Sequence, residues 1–172
     1  MKILVFSDSH GSSHPLRTAL DAHRDAEAVV FLGDGAADAW DVLADYPHLS
    51  RCILSGNCDS RLVLTSRGID CAEECVLDFG GMRFLCLHGH TRGVKMGMDR
   101  VLYYASEVKA DVILFGHTHI PTNEYASDPA SPARRILLFN PGSVGRGYEN
   151  PYGVIHVVNG VLSAGHGKAA LH

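Results

Sequence analysis

Five short clusters of oxygen and nitrogen donors punctuate this 172-residue chain: Asp8-Ser9-His10, Gly33-Asp34, Gly56-Asn57-Cys58-Asp59, His88-Gly89-His90 and Gly116-His117-Thr118-His119. At least three of them follow apolar, β-branched runs, at residues 3–6, 29–32 and 112–115. Such a run reads as a strand that delivers the next side chains to the rim of a sheet. Donors gathered at several strand ends can enclose one or two divalent cations. At an extended strand end residues i and i+2 point the same way, so Asp8 and His10 can reach one ion, and the two His-x-His pairs repeat the device. Each cluster has a plainer alternative on its own. Asp-x-His suits a turn, Asp34 could cap the following helix, and Gly-Asn is a frequent turn pair. Two His pairs, each beside glycine and after an apolar run, are much harder to assign to chance.

The donor set combines carboxylates, imidazoles and one amide. That mixture suits Mn²⁺, Fe or Zn²⁺ better than Ca²⁺, which prefers oxygen alone. Seven donors match two ions that share one bridging carboxylate, and Asp34 has the two oxygens to bridge. Two ions ~3.5–4 Å apart clamp a phosphoryl group and activate water as a nucleophile. The chemistry indicated is hydrolytic.

The elements that must position these residues alternate at first. Strand-like residues 2–7, 29–32 and 51–54 interleave with helical patterns at 14–24 and 36–45, where Ser12 or Ser13 is the expected cap and Pro15 suits the first turn. Such β-α repeats indicate parallel strands with helices on the sheet faces. Later, 74–79 and 82–87 flank the hairpin pair Gly80-Gly81, and 99–109 reads as a helix. Further strands are expected at 120–126, 135–139, 153–158 and 161–164, the last two joined by an Asn159-Gly160 turn. The Pro-, Ser- and Asp-rich stretch 127–133 is the expected exposed loop, and the tail 165–172 is expected to be loosely ordered. The sum is an α/β domain with enough strands for two packed sheets, with no domain boundary inside 1–172.

Bulk properties narrow the function. An apolar content of 46% with 20% charged residues fits a soluble globular protein, and no apolar run approaches a membrane span. The short apolar start reads as a first strand rather than a signal peptide, so a cytoplasmic location is expected. A net charge of −4 with no large basic cluster gives no footprint for nucleic acid. A phosphorylated substrate must therefore be held by local charge such as metal ions. Five cysteines, an odd number, argue against a disulfide framework, and Cys71-x3-Cys75 lacks the second pair a soft metal site needs.

The ordered motifs Asp-x-His, Gly-Asp, Gly-Asn-x-Asp, His-Gly-His and Gly-His-Thr-His resemble the calcineurin-like metallophosphoesterase superfamily. Gly56–Ser60, Gly116–Pro121 and Asn140–Val144 resemble its small bacterial and archaeal phosphodiesterase branch. The resemblance implies a four-layer αββα sandwich, two mixed β-sheets flanked by helices, with a dinuclear metal site at the strand C-terminal ends. It implies one ion held by Asp8, His10, Asp34 and His119, and another by Asp34, Asn57, His88 and His117. A hydroxide between the ions would attack phosphorus in line. Mn²⁺ is the leading expectation, with Ni²⁺, Fe²⁺, Zn²⁺ or Co²⁺ as alternatives. Asp34, Asn57, Cys58 and His90 are the candidate catalytic residues; Asn57, Cys58 and Arg146 are the candidate substrate contacts. Asp59 is expected to orient the loop rather than bind metal. A small-molecule phosphoester substrate and a homodimer or homotetramer complete the expectation.

One departure bears on mechanism. Many superfamily members carry histidine where Cys58 stands, and that histidine helps protonate the leaving oxygen. A thiol, with a reference pKa of ~8.5 and weak hydrogen bonds, is a poor substitute. The expected activity is therefore hydrolysis of phosphodiesters with leaving groups that need little protonation, such as aryl esters. The alternatives are a phosphomonoesterase and, less in keeping with an intact donor set, a non-catalytic scaffold of the same fold.

Overall fold

The structure, a computed structural model, describes residues 1–169. The chain runs β1 (Lys2–Phe6), α1 (His14–Ala22), β2 (Ala28–Phe31), α2 (Ala36–Leu43), β3 (Ser50–Ile53) and α3 (Arg61–Ser66). It continues through β4 (Glu74–Phe79), β5 (Met82–Leu87), a single 3-10 turn (Val94–Met96), α4 (Asp99–Glu107) and β6 (Val112–Phe115). Two hairpins close it: β7 (Thr122–Asp128) with β8 (Ser131–Asn140), and β9 (Pro151–Val158) with β10 (Val161–Lys168).

The first sheet has the order β10-β9-β1-β2-β3, with β1, β2 and β3 parallel. The second has the order β4-β5-β6-β8-β7, with β5, β6 and β8 parallel and antiparallel strands at both edges. Alternation along β1 shows how the layers form. Ile3 and Val5 join Val30, Phe84, Val112, Leu114 and Phe139 in a core between the sheets, while Leu4 and Phe6 pack with Leu16, Leu20, Val42 and Leu43 of α1 and α2. On the far side Leu85, Leu87 and Ile113 pack with Val101 and Ala105 of α4. Strands covered on both faces read as continuous apolar runs, which is why 29–32 and 112–115 carry no polar alternation. The result is the expected four-layer αββα sandwich.

The sequence misjudged several boundaries. Residues 127–133 are not a loop: Ser127 and Asp128 extend β7, and Ser131 already opens β8. Asp128 explains the tight reversal, since its Oδ1 accepts the Ala130 amide at 2.9 Å. Ser13 occupies the cap position of α1 but makes no capping hydrogen bond, because its backbone is already helical (φ −82°, ψ −21°). The helix expected over 99–109 ends at Glu107. Lys109 turns left-handed at φ 57°, and the Ala110 amide donates back to Ala105 O at 2.8 Å. The strand expected over 120–126 starts only at Thr122, after Pro121, which has no amide hydrogen for the ladder. Residues 165–168 of the expected loose tail belong to β10, and 170–172 lie outside the described residues. Among the described residues no helix is long and apolar enough to cross a membrane.

Asp128 also ties α4 to the β7–β8 hairpin. It accepts from Ser106 Oγ at 2.6 Å and from Arg134 at 2.8 Å, and Arg134 in turn reaches Asp111 at 2.8 Å. The Ser106 hydroxyl first, and the Arg134 guanidinium with it, hold the Asp128 carboxyl down to about 2. A carboxyl below its unfolded value of ~3.9 stabilises the fold above that pH and loses its contribution as pH falls through its folded value. Urea unfolding midpoints followed across that acid range are expected to fall less steeply for Asp128→Asn than for the wild type. An unchanged slope would place the acid sensitivity elsewhere.

Candidate metal centre

All seven candidate donors follow the C-terminal ends of parallel strands: Asp8 and His10 after β1, Asp34 after β2, Asn57 after β3, His88 after β5, and His117 and His119 after β6. The backbone there is not extended strand. Asp8, His10, Asp34, His117 and His119 all have left-handed φ, between 47° and 65°. This corrects the expectation that i, i+2 pairs converge through the pleat of a strand. The kinks do the aiming, and they split the His117/His119 pair between two clusters. Each such residue carries roughly 1–2 kcal/mol of strain that packing must offset.

Hydrogen bonds between the loops hold those kinks. The Asp8 amide donates to Gly33 O at 2.9 Å and the His10 amide to Asp34 O at 3.1 Å. Ser143 Oγ donates to Asp8 O at 2.8 Å. Asp59 gathers four amides: its Oδ2 accepts from Asp34 and Gly56 at 2.8 Å, and its Oδ1 from Gly35 and Ala36 at 2.9 Å. That carboxylate sits at the N-terminus of α2, where negative charge is favoured. Gly56 is required by close approach, since a Cβ there would come 2.2 Å from Asp34 Oδ1. At Gly116 a Cβ would come 2.0 Å from Ser7 Oγ.

The donors fall into two clusters. Asp8, His10 and His119 form one and Asp34, His88 and His117 the other, each a group of ligand atoms within 4.8 Å of one another. In the first, His119 Nε2 lies 3.1 Å from Asp8 Oδ1, His10 Nε2 lies 3.7 Å from it, and the two imidazole nitrogens are 3.3 Å apart. In the second, His88 Nε2 is 3.5 Å from Asp34 Oδ2 and 3.2 Å from Asn57 Oδ1. Donors bound to one ion at ~2.0–2.2 Å stand about 2.8–3.6 Å apart, so these spacings fit a shared cation. His10, Asp34 and Cys58 form a third group, which sets Asp34 against both clusters.

Electrostatics points the same way. Asp8 and Asp34 are buried carboxylates, and Asp8 Oδ1 has no hydrogen-bond partner. A buried anion left this way is costly unless a cation neutralises it. Burial alone would raise Asp34, but hydrogen bonds from His88 and the Cys58 amide outweigh it and hold the carboxyl well below the usual range. Burial, then the Arg146 charge, lowers His10; burial, then Lys95, lowers His117. Both rings therefore offer lone pairs at neutral pH. Burial pulls His88 down as well, yet its contact with Asp34 leaves it raised. The His88 Nδ1–H donates to Leu32 O at 2.9 Å, which turns Nε2 toward the donors.

The remaining candidates lie around this core. Cys58, Asp59 and Arg146 line a cavity of about 520 Å³ together with His10 and Asp34. Asn57 Nδ2 donates to Cys58 Sγ at 3.3 Å. The His90 ring lies 5.4 Å from His88 and 6.2 Å from His117 between centroids, bordering the second cluster without joining it. Sequence reasoning missed the task of Asn140. Its buried amide donates to Gly116 O and Thr118 Oγ1 at 3.1 and 3.0 Å, clamping the loop that carries His117 and His119. An Asn-Pro-Gly after a strand-like run was the available signal.

The model of the calcineurin-like phosphoesterase superfamily domain matches residues 1–160. The probable metallophosphoesterase YsnB of Bacillus subtilis is 33% identical over 146 residues, covering 84% of this chain and 75% of that protein. A phosphodiesterase of Methanocaldococcus jannaschii is 29% identical over 154 residues, covering 83% of each. The crystal structure of a conserved Streptococcus pneumoniae protein, a predicted phosphoesterase, matches with TM-score 0.76 and 24% identity, over 98% of this chain and 89% of that one.

Imidazole ligands must be deprotonated, so cations and protons compete for this site. Mn²⁺ affinity by calorimetry is expected to fall steeply below about pH 6, and binding near neutrality to release a proton from His88. Affinity constant from acid to neutral pH would contradict this. Asp59→Asn should keep the fold but cost ~10–100-fold in affinity, the usual effect of removing a group that orients ligands. Unchanged affinity would reduce Asp59 to a structural anchor.

Proposed function

The chain belongs to the calcineurin-like phosphoesterase superfamily, and from that premise we propose that it is a metal-dependent phosphodiesterase. The observation that carries the proposal is the meeting of two donor clusters at Asp34. Asp8, His10, Asp34 and His119 would hold one ion, and Asp34, Asn57, His88 and His117 the other. The mixed oxygen and nitrogen donors suit Mn²⁺, Fe²⁺ or Zn²⁺ better than Ca²⁺, and Mn²⁺ is the ion we propose. Divalent ions in such a centre supply Lewis acidity and an activated water for attack on phosphorus.

The protein's own groups position the ester. Asn57 directs Oδ1 toward His88 and Nδ2 toward Cys58, which orients its amide. Arg146 lines the cavity, where its charge would meet the phosphoryl oxygens. His90 borders the second cluster and is assigned to the substrate side of it. The cavity is open, so an ester with two substituents can enter without burying both. Cys58 is exposed at its rim, where a proton donor to the leaving oxygen would stand. A thiol donates weakly, which favours esters whose leaving group departs without help. A relative from Methanocaldococcus jannaschii is described as a phosphodiesterase, which supports the diester reading.

With Mn²⁺ added, turnover of a bis-aryl phosphate is expected to exceed that of the mono-aryl phosphate by about tenfold or more, a difference of ~1.4 kcal/mol in barrier. The reverse order would make the chain a phosphomonoesterase. Asp34→Asn and His88→Ala should each lose more than the ~100-fold typical of disturbing a ligand's support. Full activity in both would remove the dinuclear mechanism.

Cys58→His offers a sharper probe of the leaving-group assignment. It should raise rates on alkyl diesters more than on activated aryl diesters, within the roughly 10²–10⁴-fold range of general acid catalysis. Equal changes on both substrates would refute a missing proton donor at this position.

A further inference from the structure

Away from the metal donors, three cysteines line one groove. Cys52, Cys71 and Cys75 share a surface groove of about 410 Å³ with Trp40, Arg51 and Asp70. Cys52 lies on β3 and Cys75 on β4, the strands that end the first and second sheets respectively. Their sulfurs are 3.4 Å apart, in van der Waals contact across the open edge of the sandwich. Closing that gap to the ~2.05 Å of a bond takes a movement of little more than an ångström. A fourth cysteine, Cys86, faces Cys75 across the β4–β5 ladder but is fully buried.

We propose that Cys52 and Cys75 form a redox-active dithiol that exchanges with small-molecule disulfides and closes into a bond between the two sheets. The site does not depend on the phosphodiesterase assignment. Cys75 is the attacking group. Cys52 first, and Cys86 second, donate toward its sulfur and draw its thiol below the usual range, and the thiolate is the nucleophile in exchange. The Cys75 thiolate attacks one sulfur of the small disulfide, forming a mixed disulfide and expelling one thiolate. The Cys52 sulfur, giving up its proton, then displaces the second thiolate. The protein loses two hydrogens and two electrons, and the small disulfide leaves as two thiols. The new bond closes a loop that carries Asn57, Cys58 and Asp59.

Incubation of the full-length chain with oxidised glutathione tests the site. Intact mass should fall by two hydrogens, and a non-reducing digest should join the Cys52 and Cys75 peptides in more than half of the molecules. Dithiothreitol should restore the original mass. Cys71→Ser and Cys58→Ser should still form the Cys52–Cys75 link, whereas Cys52→Ser should stop at a glutathione adduct on Cys75. A link from Cys75 to Cys71 or Cys86, an adduct confined to Cys58, or unchanged mass would each overturn the proposal. The digest of the wild-type protein decides the matter even if a serine variant fails to fold.

Discussion

Lone pairs facing one another at 3–4 Å set the terms for the rest of this molecule. Asp8, His10 and His119 converge, as do Asp34, His88 and Asn57, and the buried Asp8 Oδ1 has no hydrogen-bond partner. Two of the carboxylates are buried, and burial of an uncompensated charge is among the costliest arrangements a fold can hold. Five of the residues also adopt left-handed backbone, at a cost of roughly 1–2 kcal/mol each. A small domain has roughly 5–15 kcal/mol of net stability, so such an arrangement persists only where the surroundings over-determine it.

The double sandwich provides that surplus. Apolar layers on both faces of each sheet fix where the parallel strands end. Loops leaving those ends then brace one another rather than stand alone. Asp59 binds the amides of two of them, Ser143 and Asn140 reach back from the end of β8, and glycines at 56 and 116 let the loops meet without side chains between them. Strain at each donor is thus offset by hydrogen bonds made elsewhere. Rigid strand ends and interlocked loops are what a hydrolytic metal centre needs, because its donors must keep their geometry whether or not an ion is present.

Much of this was legible in the sequence, for identifiable reasons. Runs such as Val29-Val30-Phe31 are buried on both faces, so they announce strands without any help from context. The donor residues stand out because Asp, His and Asn directly after such runs are unusual company for a core. What the sequence concealed is backbone conformation at non-glycine residues. Nothing in Asp8-Ser9-His10 states that both ends are left-handed; the contacts of Gly33, Asp34 and Ser143 impose it. The β7–β8 hairpin was hidden by composition, since the Pro, Ser and Asp of 127–133 read as loop while β8 borrows its order from the parallel strand β6 beside it. Short α3 was missed although Ser60, extended at φ −72° and ψ 116°, caps it in the ordinary way.

The central claim is that one carboxylate, Asp34, joins two cation sites into a single centre. Electron paramagnetic resonance of the Mn²⁺-saturated protein tests it most directly. Two ions sharing Asp34 give an exchange-coupled spectrum, which should collapse to that of isolated Mn²⁺ in Asp34→Asn. A wild-type spectrum of isolated, uncoupled Mn²⁺ would contradict a shared centre.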